Sequence, residues 1–141
     1  MLRQGRSTSR RSTVVVVAVV LAFAAACSSG TSRTETGAGV RVWVGPSTRD
    51  SMTALVEGTV AYNRAESCFQ VVTPAATYPI VWPHGSKGTA DPVGVVLTDG
   101  TTVHDGEQIS FGGGYLKVAD DYGIPASCLP STGEVAIIQS T

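Results

Sequence analysis

The chain of 141 residues carries ten Lys and Arg against eleven Asp and Glu, a net charge of −1 with His neutral, and 43% of it is hydrophobic. The charge is unevenly spread: Arg3, Arg6, Arg10 and Arg11 precede Cys27, and all eleven acids follow it, leaving six basic residues against eleven acidic ones and a net −5. Such a domain repels phosphate backbones, and no Lys/Arg cluster with interleaved aromatics occurs, so nucleic acid is excluded as an expected partner.

Behind the four arginines, residues 14–26 form a run of thirteen apolar residues that closes on Ala24-Ala25-Ala26-Cys27. A basic flank, an apolar stretch and small residues at the cut are the layout of an export signal. Cys27 completes a lipoprotein cleavage box, with Ala24 standing where Leu is commonest. Residues 1–26 are therefore expected as a lipoprotein signal peptide and Cys27 as the lipidated first residue of the mature chain, carrying a palmitate-type acyl group. A helix of thirteen residues reaches only about 20 Å, short of the ~30 Å hydrocarbon core, so the run reads as a removed leader. The alternative is an ordinary secretory leader cut after Ala26, with Cys27 a spare thiol. Ser9-Arg10-Arg11 leaves the twin-arginine route open beside the general one.

Residues 28–39 contain only Ser, Gly, Thr, Arg, Glu and Ala. Nothing there builds a core, and residues 27–39 are predicted to be a flexible tether beneath a single β domain, residues 40–141. Attachment to the membrane would rest on the acyl chains, since one chain binds only marginally and two or more hold firmly.

Strand signals then recur at short spacing. Residues 40–44 alternate as one strand, an edge or an approach segment. Residues 54–62 form a longer strand in which Gly58 suggests a bulge or a sharp coil. Strands follow at 68–73 and 78–82, the second stopped by Pro83. Residues 84–92 read as a polar excursion, and strands are predicted again at 93–98 and 101–104. Asp99-Gly100 between them predicts a type I′ hairpin, in which both central residues take positive φ. A strand at 108–111 leads into Gly112-Gly113-Gly114, whose glycines admit positive φ or a close pass by a neighbouring strand. Residues 115–122 suit one or two turns of helix, 125–133 a loop, and 134–139 a final apolar strand.

Lipidation of Cys27 would leave an even pair, Cys68 and Cys128, free to bridge in an oxidising exterior. Closing a loop of about 60 residues is worth roughly 4 kcal/mol. Two separate buried thiols are the other reading. Many short strands, frequent glycine and at most one short helix predict an all-β fold, a small antiparallel barrel or sandwich, with an OB-like or SH3-like barrel carrying one disulfide as the first choice.

Few residues suggest chemistry. His84 and His104, joined by Asp91 or Asp105, have the ligand types of a His/carboxylate metal site, although two such histidines are more commonly solvated loop residues. The glycine run lacks a following Lys-Ser/Thr, and residues 85–89 lack the spacing and helix of a phosphate loop. Asp120-Asp121 are adjacent and suit a cap or a solvated turn. Trp82, Tyr78 and Tyr115 lie near glycine-rich segments where aromatics stack on sugars or partner side chains. Trp82 and Tyr78 share a strand parity with Ile80, however, and that face also reads as core. A ligand surface at Trp82, His84 and Tyr115 is the expectation to be tested.

From Leu55 to Ile138 the chain resembles a family of small, uncharacterised cell-envelope lipoproteins of actinobacteria. The likeness is carried by Glu57-Gly58-Thr59, Cys68, Val81-Trp82-Pro83-His84-Gly85 and Val96-Leu97-Thr98-Asp99-Gly100-Thr101. It continues through Gly106, Gly112-Gly113-Gly114-Tyr115, Cys128 and Gly133-Glu134-Val135. It implies an exported, lipid-anchored β domain with a disulfide and supplies no catalytic residue. The expected role is a non-catalytic binding or accessory domain on the extracytoplasmic face of the cell membrane, meeting an envelope protein or small molecule and calling for no cofactor. The alternative is a small metal-dependent hydrolase or metal-binding protein using His84 and His104.

Overall fold

The computed structural model describes residues 33–47 and 52–140. The predicted leader and Cys27 lie outside the described residues. The fold is all-β. Among the described residues ten strands run β1 (Arg33–Gly37), β2 (Val40–Val44), β3 (Ala54–Asn63), β4 (Cys68–Val72), β5 (Thr77–Trp82), β6 (Lys87–Ala90), β7 (Val93–Val96), β8 (Thr102–His104), β9 (Gln108–Leu116) and β10 (Val135–Ser140). One helical turn, α1 (Ala119–Tyr122), and a 3₁₀ turn at Ala126–Cys128 interrupt the last connection.

Seven strands form one sheet in the order β1-β2-β5-β10-β9-β3-β4, and β4 also pairs with β5, so the pairings return on themselves. Strands β3, β4 and β5 are successive antiparallel neighbours, and β9 comes back to lie antiparallel beside β3. That is a Greek key. The pairing is mainly antiparallel, as predicted, with two exceptions: β10 enters between β9 and β5 parallel to β5, and β2 also runs parallel to β5. Parallel neighbours become possible because long connections, residues 83–134, separate β5 from β10.

Alternation along the central strands explains how they are buried. Val42, Val44, Ile80, Trp82, Ala136 and Ile138 point into the ring, where they meet Val56, Val60, Phe69 and Val71. The intervening Trp43, Val81, Val135 and Ile137 face the other way and pack with Ala119, Ile124 and Cys128. Strands covered on both faces read as continuous apolar runs rather than as polar/apolar alternation. This is why residues 80–82 and 135–138 contain no polar side chain.

The second sheet, β6-β7-β8, lies in the connection between β5 and β9. Its Val95, Leu97 and Val103 join the inner cluster, so it caps the end of the ring where β5 finishes and β9 begins. Part of the predicted polar excursion is thus the strand β6, whose short run Lys-Gly-Thr-Ala is held by backbone pairing with β7.

Other expectations are corrected. The tether does not extend to residue 39, because β1 pairs with β2 over five rungs, from Arg33↔Val44 to Gly37↔Val40. Main-chain bonds make this ladder, so its composition gave no apolar signal. The hairpin closes through Ala38 and Gly39, both at positive φ (50° and 78°), and it is here that a two-residue primed turn occurs. Gly37 and Gly88 meet at a crossing: a Cβ on Gly37 would sit 2.5 Å from the Gly88 carbonyl oxygen, and one on Gly88 2.5 Å from that of Val40.

At Asp99-Gly100 only Gly100 has positive φ. Leu97 N donates to Thr101 O at 2.8 Å and Gly100 N to Leu97 O at 3.0 Å, making a three-residue loop in place of the predicted two-residue turn. Asp99 Oδ1 accepts from Thr101 N at 2.8 Å, which favours that longer form. Strand β9 continues through the three glycines to Leu116, and only residues 119–122 of the predicted helix are helical. Gly113 and Gly114 serve close approach: a Cβ on Gly113 would collide with the Ile137 carbonyl, and one on Gly114 with the Met52 side chain. The register of β3 is unbroken at Gly58: β9 pairs with residues 54–59 and β4, on the other edge, with residues 59–63.

Candidate functional site

Trp82 is not a surface residue. It is fully buried at the end of β5, its ring edge-on to Phe69 with centroids 6.0 Å apart. Its Nε1 is buried without a hydrogen-bond partner. The shared parity with Ile80 decides the matter in favour of core. His84 lies two residues further on and is exposed, in a turn closed by Ser86 N and Oγ donating to the Pro83 carbonyl at 3.2 and 2.7 Å.

Tyr115 lies elsewhere, at the end of the ring where β3, β5 and β10 begin and β4 and β9 finish. Its half-buried ring packs against the inner cluster and against Tyr78, with centroids 4.7 Å apart. Burial, then the neighbouring Tyr78, pushes the Tyr115 hydroxyl above its usual 10.0, with the Glu57 backbone pulling the other way. Trp82, His84 and Tyr115 therefore do not form one surface.

The metal constellation is not assembled either. His104 lies on β8 with its Nδ1 buried and unpartnered close to Gly94, where a Cβ would come within 2.9 Å. Asp105 is engaged by the backbone, its Oδ1 accepting from Tyr62 N at 2.8 Å, while Glu107 Oε2 accepts from His104 N at 2.8 Å. Asp91 occupies the β6–β7 turn, in a cis peptide with Pro92. Among the described residues no group of three or more His, Cys, Asp or Glu is placed to hold a metal ion.

Cys68 and Cys128 are bridged, both buried, with Cα atoms 6.6 Å apart across 60 residues. The reading as two separate thiols is thereby excluded. The bridge is the centre of a clamp that sequence reasoning missed. Gln70 Nε2 donates to Cys128 O at 3.0 Å, and Ser127 Oγ to Glu66 Oε2 at 2.7 Å. Arg41 Nη2 donates to Glu66 O at 2.9 Å, while its guanidinium lies 5.0 Å from the centre of the Trp43 ring. These groups come from three separate segments, residues 41–43, 66–70 and 127–128, and no local motif announces them.

Among the described residues, the large hydrophobics that remain exposed share one end of the ring. Leu55 is the second residue of β3, Val72 the last of β4 and Leu116 the last of β9, with exposures of 57%, 43% and 44%. They accompany Tyr78 and Tyr115 there. Among the described residues no helix is long and apolar enough to cross a membrane.

Fold and site together define an all-β domain with a single-disulfide clamp. No family model, curated protein or solved structure matches the chain.

Proposed function

We propose that this is an exported lipoprotein, anchored through Cys27 on the extracytoplasmic face of the cell membrane, whose β domain binds an envelope protein or small molecule without catalysing a reaction. The observation that carries the reading is the Cys68–Cys128 bridge. Disulfides persist in oxidising compartments, which fits export. The bridge also uses two of the three cysteines and leaves Cys27, at the end of the leader, as the one outside it.

The Greek-key ring of β3, β4, β5, β9 and β10 supports the OB-like form of the barrel over the SH3-like one. Barrels of that form bind oligonucleotides and oligosaccharides on their second and third strands and on the loops after the first and fourth. The corresponding ground here is β4 and β5, with the β3–β4 loop and the β9–β10 connection that holds residues 127–128. Gln70 and Cys68 on β4 and Glu66 in the preceding loop are already engaged by residues 127–128. With a mature charge of −5, this supports a ligand that is neither DNA nor RNA.

Metabolic labelling with a fatty acid tests the anchor. Label should enter the wild type and be lost in Cys27→Ala; equal label in both would end the lipoprotein reading.

A further inference from the structure

The predicted tether of thirteen residues would have let the domain face any direction. At most about 3.5 Å per residue, it spans roughly 45 Å. A domain of about 100 residues has a radius of gyration near 13 Å, and so a diameter of roughly 33 Å. Strand β1 changes that comparison. It takes residues 33–37 into the sheet and leaves six residue steps between Cys27 and Arg33. Six steps reach at most about 21 Å. That is shorter than the domain is wide.

Where β1 begins is equally defined. Arg33 pairs with Val44, and Val44 with Trp82, the last residue of β5. The chain therefore enters at the end of the ring capped by the β6-β7-β8 sheet. The far end carries Tyr78, Tyr115, Leu55 and Leu116.

Resting on the lipoprotein reading, we infer that β1 fixes which way the anchored domain faces. The sheet-capped end, with His84, lies toward the bilayer, and the tyrosine end looks away from it. The membrane therefore does not cover Leu55 and Leu116. The crossing of Gly37 over Gly88 is at the other, turn end of the hairpin, and it holds the β1–β2 hairpin against the capping sheet.

The test uses the lipidated protein in phosphatidylcholine/phosphatidylglycerol vesicles carrying a contact-range nitroxide quencher on a headgroup. With Cys27 acylated and the other two cysteines bridged, His84→Cys or Leu116→Cys supplies the single thiol for a small fluorophore. Quenching at position 84 should exceed that at 116 at least threefold. Inserting twelve Gly/Ser residues between Ser32 and Arg33 should bring the ratio toward one. Equal quenching at both positions in protein that floats with the vesicles would overturn the orientation and leave the anchor standing. So would a ratio that the insertion does not change. Protein that fails to float would sink the anchor and this inference with it.

Discussion

The inner and outer faces of the β2-β5-β10 sheet are both buried, but they are sealed by different means. The inner face is covered by strands of the same ring, whose side chains interdigitate around Trp82 and Phe69. Backbone pairing holds those strands, and no covalent tie is present on that side among the described residues. The outer face, around Trp43, Val81 and Ile137, is covered by residues 117–134, which offer one helical turn and one 3₁₀ turn. A segment with so little regular structure has few backbone bonds to hold it down. The Cys68–Cys128 bridge and the Arg41–Glu66–Ser127 contacts take their place. The disulfide thus secures the cover rather than the ring.

The largest expected effect is on the inner side. Trp82→Ala should cost about 3–5 kcal/mol, since a packed ring leaves little room for collapse into the cavity. Urea unfolding of Trp82→Ala beside Trp43→Ala sharpens the contrast, because the looser outer cover should relax and lose less. An equal or larger loss at Trp43 would break it.

Next comes the bridge itself. Removing it as Cys68→Ala/Cys128→Ala should lower stability by about 4 kcal/mol on the chain-entropy account. Under conditions where the variant stays folded, amide exchange should accelerate in residues 117–134 far more than in β3 or β9. Uniform acceleration across both regions would show that the ring also depends on the bridge.

A smaller effect is expected at the crossing of the hairpin and the capping sheet. Gly88→Ala places a methyl group against the Val40 carbonyl and should cost about 1–3 kcal/mol, measured by thermal unfolding. An unchanged melting temperature would show that the two segments do not press together.

The smallest effect is one of pH. The folded state holds the Tyr115 proton more tightly than the unfolded chain does, because burial and Tyr78 raise its pKa above 10.0. The associated stability is complete below that value and is lost as pH rises through the folded pKa. Denaturation midpoints for wild type should fall above pH 10 more steeply than for Tyr115→Phe; parallel curves would contradict this.

Much of the fold was legible because apolar periodicity is a local signal. The strands β2 to β5, β7, β8 and β10 were found within a few residues, and so was the pairing of Cys68 with Cys128. What escaped was held by backbone geometry. β1 and β6 carry Arg-Thr-Glu-Thr-Gly and Lys-Gly-Thr-Ala, compositions that look like a tether and a loop until a neighbouring strand supplies the hydrogen bonds. The three glycines ended the predicted strand too early, because glycine reads as a breaker when the carbonyl it must pass is remote in sequence. Of the proposed ligand surface, parity alone argued for burying Trp82. The separation of His84 from Tyr115 depends on closure of the ring, which no local pattern reveals. The Arg41–Glu66 contact spans 25 residues and had no signal at all.

The direction of β1 has a mechanical consequence. On the proposed anchoring, tension would enter at Arg33 and run along the strand toward the Ala38-Gly39 turn. The five rungs shared with β2 then bear the load in shear, all at once, instead of unzipping one by one. A pull on the leash is passed to the middle of the sheet through β2 and β5, so the edge strand resists being peeled away.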